Sequence, residues 1–298
     1  MELIHTVEAM QGHAEAARCS GQRLALVPTM GALHAGHLAL IDEALRRADH
    51  VTVSIFVNPT QFGPGEDYDA YPRTLEADLR ALEDRGGVDA VFAPSVAAMY
   101  PDGPEAHRAW VEVEGLDAHL CGRYRPGHFR GVATVVAKLL LACRPHVAVF
   151  GRKDAQQFVI LRRLVRDLGF GVEVVGAETV READGLALSS RNAYLTEAER
   201  AQAGVLSQAV SAVAAAVEEG EQRSERLVEA MLTTLAQAPL ARVQYAEVVD
   251  ARTLQPVARI APGQAVIAAV AVYFGATRLI DNCFATAPPA PPERPSER

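Results

Sequence analysis

Two histidines three residues apart across a glycine, His34 and His37 in the run PTMGALHAGH (28–37), stand where an apolar stretch gives way to a helical pattern. A helix start presents unpaired backbone N–H groups and the positive end of a dipole, so such a turn suits an anion. Gly31 and Gly36 let the backbone approach a phosphate closely, and each imidazole can donate to phosphate oxygens or stabilise charge developing on them. The pair also reads as ordinary helix caps or as two metal ligands. Its strand-to-helix context favours nucleotide phosphate.

Three further segments carry similar chemistry. Phe56-Val-Asn-Pro-Thr-Gln-Phe62 leaves the end of an apolar run, placing the amides of Asn58 and Gln61 where open parallel sheets bind ligands. Alone it reads slightly better as a proline turn with surface amides. Phe150-Gly-Arg-Lys-Asp-Ala-Gln-Gln157 again follows an apolar strand and opens a helix. There Gly151 permits a tight turn, Lys153 supplies a point charge for phosphate, Asp154 can accept from a ribose hydroxyl, and the two glutamines can orient a small polar substrate. In Asp184-Gly-Leu-Ala-Leu-Ser-Ser-Arg-Asn192, two hydroxyls and the Arg191 guanidinium can wrap a triphosphate, although serine and arginine are equally at home in a linker.

The elements that must position these groups follow from periodicity. Apolar runs at Leu24–Pro28, Val51–Val57, Val88–Phe92, His146–Phe150 and Gly171–Val175 alternate with helical repeats: Leu38, Ile41, Leu45; Leu75, Leu79, Leu82; 132–143; and Phe158, Leu161, Leu164, Leu168. This alternation predicts an α/β fold, a Rossmann-like doubly wound parallel sheet. Beyond about Asn192 the texture changes to alanine-rich helices, 196–219 and 224–237, then strand-like runs 243–249 and 265–274. These predict a smaller C-terminal α+β domain. The expected division is 1–184 for the nucleotide-binding domain, 185–286 for the smaller one, and 287–298 as a disordered proline-rich tail.

Length and charge narrow the classes. A chain of 298 residues exceeds a typical single domain, and 49% hydrophobic content is ample for packed cores. The net charge of −8 argues against nucleic-acid binding. No apolar run spans a bilayer and the first residues carry no leader pattern, so a cytoplasmic location away from membranes is expected. Cys19, Cys121, Cys143 and Cys283 lack metal or disulfide spacing and read as reduced, buried or half-buried thiols.

Taken in order, PTMGALHAGH, FVNPTQF, RPGHFRGV (125–132), FGRKDAQQ and LSSRN closely resemble the pantoate–β-alanine ligase (pantothenate synthetase) family over about residues 22–285, and more broadly the HxGH nucleotidyltransferases. The resemblance implies an ATP site lined by Met30, Gly31, Ala32, Leu33, His34, Ala35, Gly36, His37, Gly151, Arg152, Lys153, Asp154, Val180, Leu188, Ser189, Ser190 and Arg191. His37 would be the catalytic donor, with His34, Lys153 and Arg191 assisting. It places pantoate on Gln61 and Gln157, and β-alanine beside Gln61, so that 1–184 would bind pantoate as well as nucleotide. It also implies magnesium and a homodimer. Leu188 stands where the family usually has methionine, a swap of similar volume from which little change is expected. Glu76 and Asp78 lie near the site in sequence but read as solvated helix carboxylates, and the metal ligands stay unassigned.

The reaction this implies is attack of the pantoate carboxylate on the α-phosphorus of ATP, then attack of the β-alanine amine on the mixed anhydride, with the smaller domain, 185–286, closing over the adenylate as a lid. Rival readings are an adenylyltransferase that stops after AMP transfer, a tRNA synthetase, and a nucleotide-binding regulator without turnover. FVNPTQF and the Gln156-Gln157 pair argue against the first. The acidic balance and the lack of an anticodon-reading module argue against the second.

Overall fold

The computed structural model describes residues 1–290, and the chain divides into two compact units. The first comprises Met1–Arg181 with Leu188–Ser190. Its elements in order are β1 (Glu2–Ile4), α1 (Val7–Cys19), β2 (Leu24–Thr29), α2 (Ala35–Leu45), β3 (His50–Ile55), α3 (Leu75–Arg85), β4 (Ala90–Phe92), α4 (Val96–Met99), α5 (Leu120–Tyr124), α6 (His128–Cys143), β5 (Val147–Gly151), α7 (Ala155–Asp167) and β6 (Glu173–Ala177).

All six strands pair in parallel in the order β1-β4-β3-β2-β5-β6. A parallel sheet is covered on both faces, so its inner strands are continuous apolar runs rather than alternating ones. Ala25, Val27, Val51, Val53, Val147 and Val149 are all at most 1% exposed and pack with Ile41 of α2 and Leu82 of α3. The chain winds from β2 outward through β3 to β4, then returns to lay β5 on the other side of β2. That reversal is the switch point, where strand ends diverge and leave a crevice. Here β2 and β5 pair only at Ala25 with Val147 and Leu26 with Ala148. Pro28, which has no N–H to give to a ladder, lies beyond the last of these pairs.

The second unit takes Glu182–Ala187 and the chain from Arg191. It holds α8 (Glu197–Ala203), α9 (Val205–Glu218), α10 (Ser224–Leu235) and an antiparallel sheet of β7 (Ala241–Asp250), β8 (Ala265–Phe274) and β9 (Thr277–Thr286) in that order. Val266, Ala268, Val270 and Val272 of β8 form its core with Val213 and Val217 of α9 and Met231 of α10. The single helix expected over 196–219 is two, divided at Gly204, where an added Cβ would approach the Asp184 carbonyl to 3.1 Å. Arg200 of α8 is ion-paired with both Glu182 and Asp184, which ties the segment before Leu188 to this unit.

Five elements, β1, α1, the short helices α4 and α5, and β9, lie outside the sequence expectations. The predicted tail needs correction at its start, since Ala287 is buried and its N–H donates to the Gln264 carbonyl; residues 291–298 lie outside the described part. Cys121 and Cys143 are buried and Cys283 is half-buried, whereas Cys19, expected to be at least half-buried, is exposed. No helix among the described residues is long and apolar enough to cross a membrane.

Candidate active site

Beyond Thr29 the chain leaves β2 through Gly31 (φ 82°) and Ala32 (φ 50°), two consecutive left-handed residues. For alanine that conformation costs about 1–2 kcal/mol and persists only where the surroundings enforce it. The enforcement comes from Asp78 on α3. Only 3% exposed, its carboxylate accepts from the Ala32 N–H at 3.1 Å, the Leu33 N–H at 2.8 Å and the Thr74 hydroxyl at 3.2 Å. A Cβ on Gly31 would sit 2.9 Å from Asp78 Oδ2, which leaves room for glycine alone. The expectation of a solvated carboxylate is therefore wrong for Asp78, whereas Glu76 is exposed. Sequence spacing assigns both to one helix but cannot show which face meets the loop.

α2 then starts with its own rings as caps. The Gly36 N–H donates to His34 Nδ1 (3.1 Å), and the His34 N–H donates to His37 Nδ1 (3.3 Å). An Nδ1 that accepts an amide hydrogen cannot carry one, so each neutral ring bears its proton on Nε2. The rings lie 4.1 Å apart. Burial, with the Lys153 charge adding, holds His34 below the ordinary imidazole range. Burial first, then His34 and Lys153, pushes His37 down to about 3, against the opposing pull of Asp154. Both imidazoles are thus neutral Nε2–H donors at neutral pH. The turn is not the open amide cradle the sequence suggests: the N–H groups of Ala32, Leu33, His34 and Gly36 already have partners within the protein.

Lys153 and Asp154 at the β5 turn lie close enough to the β2 turn for their charges to act on these rings. Gly151 ends β5, and a Cβ there would meet nothing nearer than Leu40 Cδ2 at 4.0 Å. Arg152 is ion-paired with Glu178. Asp154 is the N-cap of α7 but makes no side-chain cap bond, which leaves its exposed carboxylate available to a ligand hydroxyl. Leu188 joins the same region: its N–H donates to the Val180 carbonyl (3.0 Å), and its Cβ lies 3.8 Å from where a Gly36 Cβ would stand. Ser189 and Ser190 follow it in the same unit, while Arg191 belongs to the second unit.

Gln61 ends the short 3-10 turn Pro59–Gln61, with its amide donating to Met30 Sδ at 3.3 Å. That contact sets the FVNPTQF turn against the PTMG loop. Two groups support it: Asn58, whose amide the sequence places toward a ligand but which is buried and bonded within the protein, and His128, to which the sequence gives no ligand contact. Asn58, 1% exposed, donates to Gln61 Oε1 (3.0 Å) and the Gly131 carbonyl (3.3 Å) and accepts from the Tyr100 hydroxyl (2.9 Å). His128, at the start of α6, donates from Nδ1 to the Gln61 carbonyl (2.7 Å) and accepts on Nε2 from Arg125 (2.9 Å). Burial and the Arg125 charge push His128 down to about 4. Arg125 is also paired with Glu66 at 2.5 Å. In the RPGH motif Arg125 caps the end of α5 and His128 opens α6, with the left-handed Gly127 (φ 78°) turning the chain between them. The two glutamines of α7 separate: Gln156 is buried, donating to the Leu116 and His119 carbonyls and accepting from the Gly122 N–H, so it has a structural task, while Gln157 is half-buried.

No three His, Cys, Asp or Glu side chains among the described residues gather so as to hold a metal ion, and the Asp78 carboxylate already accepts from three donors. The described residues therefore offer no cage of their own for magnesium.

Comparison with known proteins identifies the family. The pantoate-beta-alanine ligase family model matches residues 2–284. The pantothenate synthetase of Salinibacter ruber is 66% identical over 294 residues, covering 97% of this chain and 99% of that protein. Among solved structures, pantothenate synthetase from Thermus thermophilus superposes with a TM-score of 0.85 at 46% identity, covering 95% and 99% of the two chains. The pantoate-beta-alanine ligase of Francisella tularensis, solved with beta-gamma ATP and beta-alanine, superposes with a TM-score of 0.75 at 33% identity, covering 95% and 97%.

Proposed function

This chain belongs to the pantoate–β-alanine ligase family and is an ATP-dependent ligase that joins pantoate to β-alanine, and from that premise we propose that its reaction runs through a pantoyl-adenylate built where β2 and β5 part. The observation that carries this reading is the pair of capped imidazoles. Neutral, buried and fixed with Nε2–H outward from the cap, they are preorganised donors for the charge that develops on the α-phosphoryl group. The Lys153 ammonium stands close enough to depress both rings, so cation and donors address one locus.

Pantoate attacks through a carboxylate oxygen. The new O–P bond forms as the bond from the α-phosphorus to the bridging oxygen breaks and pyrophosphate leaves. The β-alanine nitrogen then attacks the acyl carbon, releases AMP and loses a proton. No protein nucleophile is needed; the protein's contribution is alignment and charge stabilisation. His37 and His34 donate to the phosphoryl oxygens, and Asp154 accepts from the ribose. Gln61, held by Asn58 and His128, orients pantoate and the incoming amine, with Gln157 on the other side of the acid. The family pattern gives Ser189, Ser190 and Arg191 phosphate contacts. Magnesium belongs in this reading only as the counter-ion of the triphosphate, whose own oxygens suit a hard cation. A homodimer is the assembly the family resemblance supports, and sedimentation would test it.

The decisive assay is AMP formation from ATP. It should require both pantoate and β-alanine, while pantoate alone should support exchange of labelled pyrophosphate into ATP. Exchange that needs β-alanine would remove the adenylate from the scheme.

A further inference from the structure

We infer that Asp78 is a positioning residue for the adenylating histidines: its buried carboxylate is a resident anion that fills the amide nest of the β2–α2 turn and so fixes where His34 and His37 point. This rests on the reaction assigned above, though its geometry does not.

Successive backbone N–H groups in a left-handed turn form a concavity that captures anions. In this turn Gly31 and Ala32 are the left-handed residues, and the two N–H groups that converge belong to Ala32 and Leu33. They converge on Asp78 rather than on open space. Each carboxylate oxygen takes one amide, at 3.1 Å and 2.8 Å, and Oδ2 also accepts from Thr74. The side chain comes from α3, more than forty residues away in sequence, and it is 3% exposed. A ligand phosphate competing for this nest would have to displace a buried carboxylate that fits it on both oxygens. The more economical arrangement is that the nest is permanently filled and the ligand meets only what the filled nest presents.

What it presents is the next residue. Leu33 N–H is bonded to Asp78, and His34 follows directly as the N-cap whose ring and backbone set the tautomers of both imidazoles. Asp78 thus acts on the reaction through the histidines, without touching substrate. An asparagine at this position keeps the shape but loses the charge and one acceptor, and its amide hydrogens then face a backbone N–H. The turn should relax and the imidazole donors should lose alignment.

The test uses the full chain with Asp78→Asn, His34→Ala and the double variant. Pantoate-dependent pyrophosphate–ATP exchange of Asp78→Asn should fall about tenfold or more in kcat, as expected for misaligned charge-stabilising donors. KM for pantoate, which Gln61 and Gln157 hold, should stay within about twofold. In the His34→Ala background the same substitution should cost less than about threefold, because groups that act as a unit are not additive. Nitrogen NMR of the imidazoles provides a readout independent of turnover: the Nδ1 resonances of His34 and His37 should move in Asp78→Asn. If Asp78→Asn does not fold, Thr74→Val, which removes one donor to the carboxylate, should shift the same resonances to a smaller extent. Unmoved resonances in either folded variant, wild-type exchange per folded molecule, or a loss fully additive with His34→Ala would overturn the inference. Absence of pantoate-dependent exchange in the unmodified protein would instead refute the proposed reaction and leave the NMR result to decide the role of Asp78.

Discussion

α2 and α7 begin at neighbouring strand ends, after β2 and β5, and they begin in opposite ways. The first turn of α2 is closed by the rings of His34 and His37, and the loop before it is held by a buried carboxylate. The first turn of α7 has Asp154 as an N-cap that makes no cap bond, preceded by Gly151 and Lys153 on a turn with space around it. The dipole and unpaired amides of a helix start are the same in both. The difference is which of them the protein consumes internally. At α2 the fold uses up its amides and offers imidazole donors in their place. At α7 it leaves carboxylate and helix start available. A site that must bind a polyanion and then stabilise a change in that anion gains from having one rigid edge and one open one.

The largest expected effects test both edges at once. His37→Ala removes a preorganised donor and Lys153→Ala removes the cation beside it. Each should lower pantoate-dependent pyrophosphate exchange by about 10²–10³-fold with little change in the circular dichroism spectrum. Near-normal exchange in either variant would show that the imidazoles and the ammonium do not serve the phosphoryl group.

A glycine pair sharpens the contrast. Gly31→Ala forces a Cβ to within 2.9 Å of Asp78 Oδ2 at a φ of 82°, so the rigid edge should lose about 1–3 kcal/mol in denaturant unfolding. Gly151→Ala meets only Leu40 at 4.0 Å and should unfold like the parent. Its cost should be in ATP binding, with KM for ATP rising about tenfold as the added methyl obstructs close approach of phosphate to the backbone. Equal stability losses in the two variants would erase the distinction between closed and open edges.

Protonation is a weaker lever. His37 and His128 are pushed down to about 3 and about 4. The unfolded chain takes up their protons near the ordinary histidine value of about 6.5, which the native state does not do until lower pH. Stability should therefore be complete above about pH 6.5 and fall as pH drops toward about 4, by up to about 1.4 kcal/mol per pH unit for each histidine. Urea titrations across this range should show that slope, and His128→Gln should flatten it. The smallest effect expected is that of Leu188→Met, under about twofold in KM for ATP, because the exchange conserves volume at an apolar contact.

Much of this was legible in the amino-acid order, and the gaps have physical causes. Buried parallel strands advertise themselves as apolar runs, so β2, β3 and β5 could be read directly. β1 has only three residues, and the buried face of α1 is Met10, Ala14 and Ala17, which gives little apolar contrast. β9 includes Asp281 and Asn282 among its buried positions, so apolarity does not mark it. At the site, residue types showed which groups could meet a phosphate, and His34, His37, Lys153 and Asp154 do share one region. The role of Asp78 was hidden because its partners are backbone N–H groups, which carry no sequence signal, supplied by a loop more than forty residues away. The division of Gln156 from Gln157 was hidden too, since which of two adjacent helical residues faces the core depends on neighbours the sequence does not locate.

The claim on which all of this depends is that the two imidazoles are neutral, with bare Nδ1 and protonated Nε2, before any substrate arrives. Nitrogen-resolved NMR of the free protein, followed from about pH 8 down to about pH 5, measures this directly. His34 and His37 should show the Nε2–H tautomer throughout, with His37 showing no titration in that range. A proton found on Nδ1 of either ring, or a His37 midpoint near the unperturbed value, would contradict it.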